Sequence, residues 1–327
     1  MKKESIPVLF ITFARPDYAR KTFDAIKAEK PSKLYFYSDK AHLNNPDEIE
    51  RNNQIRDFVI KETDWDCELK TFFREENAGL YASMLGAIDW VFENEEQAII
   101  LEEDIVPSLA FFDFCKQLLP KFKEDWRVYY ISGTNLLESF NPNGFDYIFT
   151  KRGYYYGFAT WKSRWQKVER NNIPFEAMKR YDINKFYGVS KRKTNYLDKS
   201  QEESYRFLKS NGVNPCWDYA LSFTLKKEGA CGIIPVKNLV KNIGVIGIHS
   251  TGVNSLAHNL STYTSDKYVI NNPPPFVIPD FKYDKHHIDV FYKRTLLRHR
   301  LINRFYAIVT TFLKVLGVNT SNLTLHK

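Results

Sequence analysis

Three adjacent carboxylates, Glu102, Glu103 and Asp104, follow the apolar run Ile99-Ile100-Leu101. Like charges side by side repel one another, so a chain tolerates them on a solvated turn or where a divalent cation and a phosphate compensate them. The apolar run reads as a buried parallel strand, and Pro107 with Leu109-Ala110-Phe111-Phe112 reads as a helix starting just past Ser108. The carboxylates then fall at the carboxyl rim of a sheet, where open α/β folds bind ligands. A plain acidic turn between strand and helix is the alternative. A lone carboxylate, Asp218, stands between Trp217 and Tyr219 at the apparent start of a helix over residues 220–227. It is either a capping residue or, beside a metal–phosphate site, a general base. His249 ends a glycine-punctuated extended stretch over residues 233–252. It is either a satisfied structural histidine or a group that holds a metal or diphosphate.

The elements that must position these groups alternate. Apolar runs predict strands over residues 8–13, 33–37, 68–74 and 128–133, in addition to the one before Glu102. Helical spacing predicts helices over 18–28, 46–61, 81–92 and 109–119, the first opened by Pro16 and Asp17 and the third by the turn Asn77-Ala78-Gly79-Leu80. Strands alternating with helices give βαβ units, a doubly wound, Rossmann-like and mostly parallel sheet, and right-handed crossovers.

The chain has 327 residues, 47 Lys plus Arg against 39 Asp plus Glu, and formal net charge +8, enough length for one large domain or two modest ones. The excess charge suits phosphate-bearing molecules, anionic membranes and nucleic acid alike, but the basic residues are scattered through the first 275 positions, so no nucleic-acid partner is expected. No Gly-x-Gly-x-x-Gly follows either early strand, which argues against a dinucleotide-binding oxidoreductase. Cys67, Cys115, Cys216 and Cys231 form no Cys-x-x-Cys pair, so a reducing compartment is the default. The six-residue apolar run after Pro7 lacks a small-residue cleavage pattern and reads as the first core strand rather than a signal peptide, consistent with a cytoplasmic protein. From Phe140 to Trp165 the chain is dense in aromatics, Tyr154, Tyr155, Tyr156, Phe158 and Trp161 among them. Such a series is core or, beside a carboxylate rim, a surface for the C–H face of a sugar.

The acidic segment after its strand, with Phe13-Ala14-Arg15-Pro16-Asp17, Asn77-Ala78-Gly79-Leu80, Gly157-Phe158-Ala159-Thr160-Trp161 and Gly247-Ile248-His249-Ser250-Thr251-Gly252, resembles bacterial GT-A glycosyltransferases. These are distantly similar to N-acetylglucosaminyltransferase I, an inverting, metal-dependent enzyme that uses a UDP-sugar. The resemblance covers most of residues 6–255. It implies a GT-A type fold, a hexosyl- or N-acetylhexosaminyltransferase active in surface polysaccharide synthesis, and a Mn²⁺ or Mg²⁺ cofactor. It also implies a nucleotide-diphosphate sugar donor and a glycan or lipid-linked acceptor.

By the same resemblance Asp104 matches the metal ligand, with His249 on the other side of the metal or diphosphate. Glu102 and Glu103 match sugar and ribose contacts, Asp39 the uracil contact, Arg15 a base or phosphate contact, and Asn77 and Gly79 the turn that meets the nucleotide sugar. Asp218 matches the catalytic base. Asn135, Tyr156, Phe158, Trp161 and Trp217 fall to the acceptor. Two positions depart from the family pattern: Glu103 stands where it has Asp, and Phe158 where bacterial relatives have Trp. A catalytically inactive carbohydrate-binding relative is the non-enzyme alternative.

The expected organisation is a catalytic domain over residues 1–275, with a nucleotide-sugar half to about 135 and an acceptor half from about 136, and an appendage over 276–327. Pro273-Pro274-Pro275 marks the boundary. From Phe291 to Arg304 the appendage carries Lys293, Arg294, Arg298, Arg300 and Arg304 and no acidic residue. Leu301, Phe305, Ile308, Phe312 and Leu316 then recur at helical spacing, which predicts an amphipathic helix. Such a helix packs on the domain or binds an anionic membrane peripherally, at the inner face of the cytoplasmic membrane in an enzyme of this kind.

Overall fold

A computed structural model describes residues 5–141, 143–152, 154–170, 217–244 and 260–290. His249 and the basic amphipathic stretch from 291 onward lie outside the described residues.

The run Val-Leu-Phe-Ile-Thr forms β1 (Val8–Thr12), buried at every position. A strand covered on both faces reads as a continuous apolar run rather than an alternating one. Its side chains nevertheless divide by the period of two: Val8 and Phe10 enter one core cluster, Leu9 and Ile11 the other. On the first face lie α1 (Pro16–Glu29) with Ala19, Phe23 and Ile26, α2 (Pro46–Glu62) with Ile55 and Val59, and α4 (Leu109–Phe122) with Phe111, Phe114 and Leu118. On the second lie α3 (Gly79–Asn94) with Met84, Ile88 and Val91, and α6 (Trp217–Glu228) with Ala220, Leu221 and Leu225. The molecule is therefore a three-layer α/β/α stack. Each fully buried large apolar side chain contributes about 1.5–3 kcal/mol, and this two-sided core is what allows the rim to carry unfavourable charge.

Among the described residues, eight strands form the main sheet. Their order begins with β3 (Glu68–Phe73), β2 (Lys33–Ser38), β1 and β4 (Gln97–Glu102), all mutually parallel. It continues with β8 (Phe158–Trp161), β6 (Val128–Ser132), β9 (Cys231–Pro235) and β7 (Tyr147–Thr150). β6 and β9 run with the first four, whereas β8 and β7 run against their neighbours, so the sheet is mostly parallel and mixed. A short helix, α5 (Lys162–Trp165), follows β8.

The extended stretch expected as one unit from residue 233 is broken. After β9 the chain turns and forms β10 (Val240–Asn242), which pairs antiparallel with β5 (Ile105–Pro107), Asn242 opposite Ile105. This small second sheet holds the chain after β9 against the segment that follows the carboxylates.

The first part of the expected appendage packs on the main sheet. Residues 281–290 form a helix, α7, opened by Asp280, whose Oδ1 accepts the N–H groups of Lys282 and Tyr283 at 2.9 and 3.0 Å. Its Tyr283, Asp284, His287 and Ile288 are buried, and Asp284 accepts hydrogen bonds from the Thr150 hydroxyl and the Lys151 N–H at the end of β7. Among the described residues no helix is long and apolar enough to cross a membrane.

Candidate functional site

β1 lies between β2 and β4 and runs parallel to both, so the carboxyl ends of β1 and β4 stand side by side at the rim of the sheet where open α/β folds bind ligands. The carboxylates stand there. β4 ends at Glu102, and Glu103 and Asp104 form the turn into β5; Glu103 is buried, Glu102 and Asp104 only partly. Glu103 Oε2 accepts the Phe13 N–H at 2.8 Å, and Oε1 accepts Arg15 Nε–H at 2.6 Å. The Thr22 hydroxyl donates to the Glu103 carbonyl at 2.8 Å. With both oxygens engaged, Glu103 stitches the ends of β1 and β4 together and fixes Arg15. It is not presented as a sugar or ribose contact, contrary to the role implied by resemblance.

Glu102 and Asp104 keep their carboxylates at the rim. Asp104 Oδ2 lies 3.0 Å from the Arg15 terminal nitrogen, and the Asp104 carbonyl accepts the Ile243 N–H at 2.9 Å. A Cβ on Gly244 would overlap the Asp104 carboxylate, so a glycine is required where the chain after β10 passes over the site. Burial works against the Arg15 charge, but Glu103 and Asp104 outweigh it and hold its pKa above the ordinary value.

Glu102 is pushed up to about 8, first by burial and then by the charge of Asp104, with Arg15 opposing and Asp218 and Glu103 adding. Its ordinary value is 4.5, so between about pH 4.5 and 8 the folded chain binds this proton more tightly than the unfolded chain, and stability falls as pH rises through that window. Glu102→Gln removes the buried charge, and thermal melts in chelator at pH 8 are expected to show a higher Tm than wild type. An unchanged or lower Tm would mean that Glu102 is not under electrostatic strain.

Asp218 joins this site from α6. Trp217 is buried against Phe158, stacked at 5.7 Å with a 20° interplanar angle, and against Tyr155 and Trp165 at 5.8 and 6.5 Å. That packing fixes the start of the helix and with it Asp218. Burial raises the Asp218 carboxyl from 3.8 to about 6, outweighing the backbone N–H groups of Tyr219 and Asp218 that pull it down. Its Oδ1 is shielded from solvent and has no hydrogen-bond partner among the described residues. The Tyr156 hydroxyl is raised well above its ordinary value, mainly by burial, then by Tyr154 and by the charges of Asp218, Glu102 and Asp104. Tyr156 is therefore within electrostatic reach of all three carboxylates, and its ring stacks on Tyr154 at 5.7 Å.

The ends of β2 and β3 form a second cluster. Asp39 is buried, and its Oδ1 accepts the N–H groups of Lys40 and Ala78 at 2.9 and 3.1 Å. Asn77 donates to the Lys40 carbonyl at 2.5 Å and accepts the Gly79 N–H at 3.2 Å. Gly79 has φ +72°, and nothing crowds the place of its missing side chain, so backbone conformation rather than space calls for glycine. The carbonyl of Asp39 is held by Asn52 Nδ2 and Arg56 at 2.9 and 3.1 Å. The structure thus brings Asp39, Asn77 and Gly79 together on the same rim of the sheet as Arg15, Glu102 and Asp104, with Asp218 within electrostatic reach of Glu102.

Other expected site residues are placed elsewhere. Asn135 is fully buried: its Nδ2 donates to the Pro235 and Val236 carbonyls, and its Oδ1 accepts the Leu137 N–H. With donors and acceptor used, it is a structural residue rather than an acceptor contact. Trp161 is core, with Nε1 directed at the Leu119 carbonyl. Phe158 and Trp217 are core rings that support Asp218 rather than surfaces for a sugar. Tyr156 alone of that set is partly exposed beside the carboxylates; Tyr154, of the same aromatic series, stacks on it, and Gly244 joins the site unanticipated. The signal for Tyr154 was its spacing of two from Tyr156, which in extended chain puts both on one face.

Among the described residues no group of three or more His, Cys, Asp or Glu is arranged to hold a metal ion. What the rim offers is two carboxylates, Glu102 and Asp104, beside an arginine. That donor set fits a hard cation whose remaining ligands are water and phosphate oxygens, not a cation caged by protein alone.

No protein-family model matches the chain, and no curated protein matches it. Among solved structures, the chain resembles a UDP-glucose pyrophosphorylase complexed with UDP-glucose at 7% identity and a TM-score of 0.35, over 70% of this chain and 90% of that one. It also resembles a putative glucose-1-phosphate thymidylyltransferase from Bacillus anthracis in complex with a sucrose, at 8% identity and a TM-score of 0.24, over 39% of this chain and 60% of that one. At such values the fold stands on its own strand order.

Proposed function

We propose that the chain is a metal-dependent, inverting GT-A glycosyltransferase that moves a hexosyl or N-acetylhexosaminyl group from a UDP-sugar to a glycan or lipid-linked acceptor. The observation that carries this reading is Asp218. It is a carboxylate raised to about 6, with one oxygen lacking a hydrogen-bond partner among the described residues, and its charge reaches Glu102 at the end of β4. A base meant to take a proton needs a shielded, accepting oxygen and a pKa near working pH.

In this reading Asp218 accepts the proton of the acceptor hydroxyl as that oxygen bonds to the anomeric carbon. The bond from that carbon to the diphosphate breaks, and its electron pair leaves on the phosphate oxygen. Tyr156, stacked on Tyr154, presents an aromatic face for the acceptor. Asp39 and the Asn77–Gly79 turn hold the nucleoside, and Arg15, fixed by Glu103, faces the phosphates. A Mn²⁺ or Mg²⁺ ion bound through Asp104 would neutralise charge on the departing diphosphate. His249 is assigned to the metal or diphosphate on the motif resemblance alone.

A panel of nucleotide sugars, followed for slow hydrolysis in Mn²⁺, tests the reading. A UDP-selective response is expected. Cytidine lacks the N3–H that Asp39 would accept and presents an acceptor to the carboxylate in its place, so CDP-sugars should bind more weakly. A response indifferent to the base would remove the role of Asp39, and no turnover of any nucleotide sugar together with retained glycan binding would favour the inactive relative.

A further inference from the structure

Arg15 bridges the two carboxylates Glu103 and Asp104. Its guanidinium spans two carboxylates of unequal burial: Nε holds Glu103 at 2.6 Å and a terminal nitrogen holds Asp104 at 3.0 Å, their side chains 5% and 14% exposed. The two ends of this bridge are not equivalent. Glu103 is itself pinned by the Phe13 N–H, so the Nε end is anchored. Asp104 lies at the rim, packed under Gly244. Arg15 is 34% exposed, with its guanidinium 5.2 Å from the centroid of the Tyr18 ring.

We infer that Arg15 is a resident counter-ion that a divalent cation must displace from Asp104, and that the diphosphate is the anion to which the displaced guanidinium turns. The inference rests on the reading of Asp104 as the cation ligand. Its consequence is binding order. A cation alone competes with a fixed positive charge for Asp104 and binds weakly. A cation arriving with a diphosphate brings acceptors for Arg15, so the guanidinium exchanges one anionic partner for another. Arg15 thereby makes cation and nucleotide bind together, and it keeps Asp104 compensated when neither is present.

Mn²⁺ binding to the full chain, followed by the EPR signal of the free ion with and without saturating UDP, tests this independently of turnover. Wild type should bind Mn²⁺ weakly alone and more tightly with UDP. Arg15→Gln should bind Mn²⁺ alone roughly ten- to a hundredfold more tightly than wild type, the worth of a charge-assisted contact, and should gain less from UDP than wild type does, the phosphate oxygens still ligating the ion. Arg15→Lys keeps a positive charge for Glu103 but is too compact to bridge both carboxylates, so it should move the same way by less. It decides the matter if the Gln variant fails to fold. Unchanged or weaker Mn²⁺ binding in the folded variants, with wild type still responding to UDP, would overturn the counter-ion role and leave the cation site standing. Wild type binding no Mn²⁺ even with UDP would overturn both.

Discussion

Asp218→Asn is expected to lower turnover by about 10²–10⁴-fold, the usual cost of removing a positioned general base, with nucleotide-diphosphate binding nearly unchanged. The amide preserves the shape of the carboxyl, and the rings that fix this helix start belong to Trp217, Phe158 and Tyr155, so the site should persist. The acid side of the wild-type rate profile should report the same group. A base must be ionised, so kcat/KM should fall as pH drops through about 6, and the limb should vanish in the Asn variant. The substitution should also stabilise the fold near neutral pH. The folded carboxyl binds its proton more tightly than the unfolded one, so its ionisation costs stability as pH rises from about 3.8 to 6. Lower activity with higher Tm is the signature of a strained functional group. A capping carboxylate would show the reverse, with a lower Tm and little change in rate.

Asp104→Ala should reduce turnover by about 10²–10³-fold, the scale on which removal of a single electrostatic stabiliser acts, and wild type in excess chelator should fall comparably. Unfolding is not expected, because the Asp104 carbonyl still receives the Ile243 N–H and Glu103 still binds Arg15 and Phe13. Full activity of the variant, or undiminished wild-type turnover in chelator, would remove the metal role.

The early βαβ order was legible because each element carries its own pattern: continuous apolar runs for β1 and β4, helical spacing in α1 and α3, and polar residues where strands end. The placement of Glu102, Asp104, Asp39 and the Asn77 turn at one rim follows from that order. Pairing in the second half was not legible. β5 and β10 are three-residue strands far apart in sequence, and nothing local selects their partners. Nor does composition separate site rings from core rings: Phe158, Trp161 and Trp217 differ from Tyr156 in burial, which depends on neighbours brought in by folding. Asn135 was misread for the same reason, since its partners at Pro235 and Val236 lie a hundred residues away. The burial of Glu103 was not legible either, because it stands in the turn after β4 and its partners Phe13 and Arg15 lie about ninety residues away. Past Pro273–Pro275 the chain returns to the sheet: Asp280 caps a helix whose buried face packs on β7, a contact that no local pattern announces.

Calorimetric titration of UDP into the full chain with Mn²⁺, run in parallel on Asp104→Ala, tests most directly whether the rim at the ends of β1 and β4 takes a nucleotide diphosphate through a cation on Asp104. The predicted result is saturable UDP binding to wild type that weakens at least about tenfold in the variant and in chelator, the loss of one charge-assisted contact or more. Equal UDP affinity in wild type, variant and chelator would contradict the account, as would a wild-type chain that binds no UDP in the presence of Mn²⁺.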